Sequence, residues 1–214
     1  MVAVKSEQAS GRREALLAAA TEVFFEQGYA AAHIDAIIER AGGSKRNIYN
    51  EFGNKEGLFT ALVSESAEAA VSALAVGGFE GRNLEEILHE FGRRLLNLYM
   101  SPTLIGVYRS IMSEAGRFPE LARDFFEKGP GHASDRLAKV LEEAHDRGEI
   151  EVENCHAAAD QFVGMFRDNL HLRVVLGLQP PPSSAEIEMA VTSAVDIFLH
   201  GIYGVGREGK AKGR

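Results

Sequence analysis

AGGSKRNIYNEFGNKEGLF, residues 41–59, decides how this chain is read. Two adjacent glycines are followed at once by Ser-Lys-Arg-Asn, and a second break, Gly53-Asn54, precedes Lys55. Ile48 and Phe52 lie four apart, the spacing that puts two apolar side chains on one helical face. Gly42 can take the positive φ of a tight turn, and Ser44 stands where an N-cap would open a short helix. Two short helices joined in this way form a helix-turn-helix. The first lies across the DNA backbone, and the second enters the major groove by its N-terminus. Lys45, Arg46 and Asn47 would project from that first turn, where arginine can read guanine and asparagine can read adenine. Ile38, Ile48 and Phe52 would hold the two helices together. From Ser44 to Lys55, Lys45, Arg46 and Lys55 face a single acid, Glu51. The helix starting near Lys55 adds free N–H groups and a dipole that favour a phosphate. By pattern alone, a pair of ordinary surface helices remains the alternative.

The rest of the chain narrows the choice. Its formal charge is −8, so the protein as a whole is no adhesive for nucleic acid or anionic membrane, and any DNA contact must be local. Apolar residues make up 45% of 214, enough for a buried core in one large domain or two smaller ones. The N-terminal stretch lacks the apolar core of a secretory signal. The longest nearly apolar run, Ala69 to Phe79, is too short to span a bilayer. Cys155 is the only cysteine, so no internal disulfide can form, as befits a reducing compartment. A cytoplasmic protein without a membrane partner is expected.

Helical periodicity runs through the whole sequence. Leu16, Ala19, Ala20, Val23 and Phe24 follow the i, i+3, i+4, i+7, i+8 series, with Ser10 as N-cap and Gly28 as stop. Ile34, Ile37, Ile38 and Ala41 mark a short second helix ending at Gly42-Gly43, and residues 44–52 a third. A fourth should run from Lys55 towards Gly77-Gly78. Leu84 to Tyr99, Pro102 to Gly116 and Pro119 to Arg147 follow, the last kinked or broken by Gly129-Pro130. Asn154 to Leu176 and Ser184 to Ile202 complete the pattern as two long helices either side of Pro180-Pro181-Pro182. The expected fold class is all-α. Residues 10–54 form a helix-turn-helix DNA-binding domain, 55–204 a larger helical effector-binding and dimerisation domain, and 205–214 a basic tail.

Residues 13–62 resemble the DNA-binding domain of the tetracycline-repressor (TetR) family. The matching features, in order, are Phe25 to Gly28-Tyr29, Ile34 to Ile37, Ala41-Gly42-Gly43-Ser44-Lys45, Ile48-Tyr49 to Phe52, and Lys55-Glu56 to Leu58-Phe59. The resemblance implies an N-terminal three-helix DNA-binding domain joined by a fourth helix to a variable helical domain that binds a ligand and dimerises. It implies a transcriptional regulator, usually a repressor, released from a palindromic operator by a small apolar effector. Carried over, Lys45, Arg46, Asn47 and Tyr49 fall on positions that contact bases and phosphates, and Lys55 on a phosphate contact. Ser44 and Asn50 are assigned to the same DNA-binding set. Three residues depart from the pattern. Ala32-His33 replaces a Thr-Ser/Thr pair, leaving His33 as a substitute phosphate contact. Gly43 stands where Val is usual, and Asn47 where Thr or Ser is frequent.

Beyond residue 80 the resemblance thins. "FRDNLHLRVVLG" and "AVDIFLHGIYG" look like the dimer-forming helices of efflux-repressor relatives. Val163, Phe166, Leu170, Val174 and the Ile187 to Phe198 face would then form a two-fold interface, or else fill the protomer's own core. Phe91, Tyr99, Tyr108, Met112, Phe118, Phe162 and Phe166 are candidate effector-pocket walls, with Arg109, Asn169 and His171 as polar anchors. No enzymatic motif competes. Gly204 to Ala211 nearly matches a phosphate-binding loop, but it ends in Ala, follows a helix and leads into no helix. The histidines lack zinc-site spacing, so neither a metal nor a cofactor is expected. A helical dimeric adaptor without DNA binding is the second reading, and it has no use for Lys45-Arg46-Asn47 beside a glycine turn.

Overall fold

The computed structural model describes residues 2–74 and 82–201, and among these the secondary structure is helical throughout. The helices are α1 (Val2–Ala31), α2 (Ile34–Ala41), α3 (Lys45–Phe52), α4 (Lys55–Ala73), α5 (Leu84–Tyr99) and α6 (Pro102–Glu114). They continue with α7 (Pro119–Phe126), a π-helical turn over Glu127–Gly131, α8 (His132–Asp146), α9 (Cys155–Met165), α10 (Asn169–Val175) and α11 (Ser184–His200). The basic tail and the Gly204 to Ala211 string lie outside the described residues.

The chain divides into two compact units, Met1–Ser72 with Ser101–His132, and Ala73–Met100 with Ala133–Arg214. In the first, the periodic face of α1 buries Leu16, Ala20, Val23 and Phe24, and Ile37 of α2, Ile48 of α3 and Leu58, Phe59 and Val63 of α4 are buried in the same unit. Each of these except Ala20 contributes roughly 1.5–3 kcal/mol on leaving water. Phe24, Tyr29 and Phe59 form one aromatic cluster with centroids 4.7–5.7 Å apart. α6 packs onto α1, and Gly106 sets how closely. A Cβ there would fall 2.3 Å from the Phe25 ring, so only glycine admits that ring.

In the second unit, α5 and α11 pack together. Leu88, Leu95, Leu137, Leu141, Phe162, Val163 and Val191 lose essentially all exposure. Gly92 of α5 has the same role as Gly106, since a Cβ would lie 2.7 Å from the Phe166 ring. Both helices open with capping boxes, Asn83 with Glu86 and Ser183 with Glu186, each closing two orphan donors reciprocally.

Four sequence expectations need correction or refinement. α1 continues back to Val2 instead of starting after Ser10, although it does break its helical geometry at Gly28 (φ 75°). Ser44 holds the N-cap position of α3 in extended backbone, but its side chain caps nothing. Gly129-Pro130, where a kink or break is expected, interrupts the α-helical geometry without ending the helical run. Proline's missing N–H is absorbed by widening one turn to π geometry. The single helix expected over Asn154 to Leu176 is two helices. Asp168 accepts from the N–H groups of Leu170 (2.8 Å) and His171 (3.2 Å), and that local cap competes with a continuous helix.

Candidate nucleic-acid interface

The turn between α2 and α3 is made by two glycines in conformations that other residues resist. Gly42 has φ 71° and its N–H donates to the Ile38 carbonyl at 2.8 Å; Gly43 has φ 110°. The valine that usually stands at Gly43 would be strained here, and its Cβ would meet Asn47 Nδ2 at 3.1 Å. The glycine is therefore a requirement of this turn and brings the Asn47 side chain over it.

α3 is anchored by one residue and displays the others. Ile48 is fully buried, while Lys45, Arg46, Tyr49 and Asn50 are exposed and Asn47 half-buried. At the other end, Gly53 (φ 76°) stops α3, and Asn54 Oδ1 accepts from Gly57 N–H at 2.7 Å, capping α4. Gly57 is held against α3 so closely that a Cβ would lie 1.9 Å from the Phe52 carbonyl oxygen. Arg13 of α1 fastens the assembly. It pairs with Glu51 (3.0 Å) and Glu65 and lies over the Phe52 ring at 5.3 Å. Arg40 of α2 likewise reaches Glu22 (3.4 Å) and Glu26 on α1.

Two cations of the interface have partners that the sequence pattern did not indicate. Lys45 Nζ sits 2.8 Å from Asp35 Oδ1 on α2, and that hydrogen bond raises the lysine pKa. Lys55 donates to the Ala30 carbonyl at 3.2 Å and lies 4.6 Å from the centre of the Tyr29 ring. Burial, then the charge of Arg117, push its pKa down. His33 occupies the N-cap of α2, exposed, with its carbonyl accepting from Ala36 and Ile37 at 3.1 and 3.4 Å and its side chain capping nothing.

The candidate effector residues are divided between the two units. In the second unit, Phe91 and Phe162 are 6.4 Å apart, and Phe162 contacts Phe166 (5.2 Å) and Phe198 (4.9 Å). Tyr99 faces His171 at 5.6 Å, and Asn169 is exposed at the start of α10. In the first unit, Phe118 packs edge-on against Tyr29 at 5.1 Å, Tyr108 is half-buried, and Arg109 and Met112 are exposed. A groove of about 650 Å³ in the second unit is lined by Leu84, Leu141, Ile150, Val152, Met165 and Phe198, among others. None of the predicted pocket residues borders it. Val163, Phe166, Val174, Ile187, Val191 and Val195, expected at a dimer face, are buried inside the protomer instead.

Residues 16–62 match the family model for bacterial regulatory proteins of the tetR family, and residues 86–205 match the C-terminal domain of AefR-like transcriptional repressors. The chain belongs to the TetR family. Its fold is that of a TetR-family regulator from Mesorhizobium loti, with a TM-score of 0.74 at 28% identity, covering 92% of this chain and 98% of that one. The flavonoid-responsive regulator FrrA is 35% identical, with a TM-score of 0.72 over 89% of this chain and 96% of its own. The transcriptional activator FasR of Mycolicibacterium smegmatis is 43% identical over 63 residues, which span 29% of this chain and 29% of FasR. The transcriptional repressor AcnR of Corynebacterium diphtheriae is 35% identical over 78 residues, 36% of this chain and 41% of AcnR. These relatives are transcriptional regulators, not enzymes. Among the described residues, no helix is long and apolar enough to cross a membrane.

Proposed function

We propose that this TetR-family chain is a cytoplasmic repressor that binds a palindromic operator as a homodimer and leaves it when a small aromatic effector binds. The observation that carries the reading is α3. It buries Ile48 completely and turns Lys45, Arg46, Tyr49 and Asn50 outward from a turn that only glycines can form. Arg46 is the base reader, helped by Asn47; Tyr49 and Lys55 hold phosphates, and Ser44, Asn50 and His33 border the same face. Support for an aromatic effector comes from the name of FrrA, a flavonoid-responsive regulator. A groove of about 650 Å³ with chiefly apolar walls is of the size that suits such a molecule.

Selection of bound duplexes from a randomised library tests the reading. It should return a palindrome with half-sites one helical turn, about 34–36 Å, apart. Arg46→Ala should weaken binding by about 1–3 kcal/mol and relax preference at one position of each half-site. Tyr49→Phe should weaken all sequences alike and leave the preferred site unchanged. A library that yields no palindrome, or one loss pattern for both variants, refutes the assignment.

A further inference from the structure

Eight basic side chains in this acidic protein lie in ion pairs with carboxylates: Arg13, Arg40, Lys45, Arg93, Arg94, Arg123, Lys128 and Arg147. Lys55 at the start of α4 and Arg117 after α6 are arranged differently. Lys55 Nζ lies 4.6 Å from the centre of the Tyr29 ring, and the guanidinium carbon of Arg117 lies 5.7 Å from the same ring and 5.1 Å from that of Phe118. Among the described residues, no carboxylate comes within ion-pair distance of either. Glu114 attracts Lys55 only from farther off. Two like charges sharing one aromatic ring repel each other, and an anion arriving between or beside them relieves that repulsion.

The chain fixes this pair in place. Gly106 lets the Phe25 ring press against the α6 backbone, which seats α6 on α1. Beyond α6, the N–H groups of Arg117 and Phe118 both donate to the Glu114 carbonyl, at 2.8 and 2.9 Å. Pro119 then starts α7, and the Phe118 ring stands edge-on to Tyr29 at 5.1 Å. Arg117 is exposed on this turn, so its guanidinium is positioned yet open to solvent.

We propose that Arg117, from the turn between α6 and α7, joins Lys55 in gripping the backbone of the bound DNA, each cation neutralising one of two neighbouring phosphates, with the Tyr29 ring as the platform for both. This rests on the DNA-binding reading above and adds a contact from well beyond the helix-turn-helix segment. Each phosphate neutralised releases counterions, so the logarithm of affinity falls with the logarithm of salt in proportion to the number of contacts. A random-sequence duplex serves as probe alongside the duplex the wild-type chain selects. Arg117→Gln should reduce the salt slope by about 0.9 per protomer on both duplexes, without changing the preferred sequence. Arg117→Lys should keep the slope, and both variants should melt as the wild type does. An unchanged slope for Arg117→Gln overturns the inference even if affinity falls, since Arg117 would then act only through the packing of Tyr29. A wild-type chain that binds neither duplex overturns the DNA-binding reading itself.

Discussion

At the scale of single residues, Lys45 meets Asp35 before it meets any phosphate. Both groups are exposed and 2.8 Å apart, so water and salt screen the pair and DNA can displace it. Asp35 nevertheless places a negative charge beside the groove-facing end of α3 and opposes every duplex equally. Asp35→Asn should tighten binding to random DNA and steepen its salt slope by up to about 0.9 per protomer. The selected duplex should gain equally, so selectivity should stay the same, because the gain carries no sequence information. Titrations of the selected and random duplexes across a salt series would show this, and identical curves for variant and wild type would remove Asp35 from the account. The first-turn set Lys45, Arg46 and Asn47 could be read directly from sequence, because first-turn positions follow from the glycine turn. The pairing with Asp35 could not, because it depends on how α2 crosses α3, which the periodicity of either helix leaves open.

At the scale of elements, the helix-turn-helix boundaries were legible because glycines carry them: Gly42, Gly43 and Gly53 all take positive φ. The junction between α3 and α4 was legible only in part. Gly53-Asn54 announced a break, but nothing in the spacing announced Gly57, whose missing Cβ lets α4 start against the Phe52 carbonyl. Gly57→Ala should therefore destabilise the first unit by about 1–3 kcal/mol or more through overpacking, seen as a lower thermal midpoint, whereas alanine in an ordinary helix interior would stabilise. The split between α9 and α10 was missed for a related reason. Apolar periodicity runs through 154–176, and the cap at Asp168 that interrupts it is a single polar residue. That break buries His171 beside Tyr99. Burial first, then the Arg167 charge, lower its pKa, while Asp168 opposes them. The unfolded chain takes up that proton near the ordinary histidine value of about 6.5, and the folded chain only at lower pH. Stability from this group is thus complete above about 6.5 and declines as pH falls towards the depressed folded value. Melting at pH 8 and pH 5.5 should show a smaller pH-dependent loss for His171→Gln than for the wild type; equal losses would place the titration elsewhere.

At the scale of the whole molecule, the apolar stripes of the last helices have two sides, and sequence alone did not separate them. Phe166, Val191 and Val195 are at most 3% exposed and belong to the protomer's own core. The same helices and the turn after α10 also expose Leu172 (50%), Leu176 (61%), Leu178 (72%), Met189 (65%) and Ile197 (43%). Isolated apolar residues on a surface need no explanation, but five large ones between α10 and the end of α11, in one unit, are apolar surface that association would cover. Substitutions on the two sides should therefore fail differently. Phe166→Glu buries an unpaired charge against Gly92 and Phe162 and should prevent folding. Leu176→Glu and Met189→Glu leave the core intact and should give a helical, cooperatively melting chain of half the native mass by light scattering. Such a monomer carries one recognition helix, so it should bind the selected palindrome far more weakly than the dimer while retaining most of its affinity for a single half-site. A wild-type chain that scatters as a monomer at micromolar concentration, or exposed-face variants that remain dimers, would move the interface away from α10 and α11.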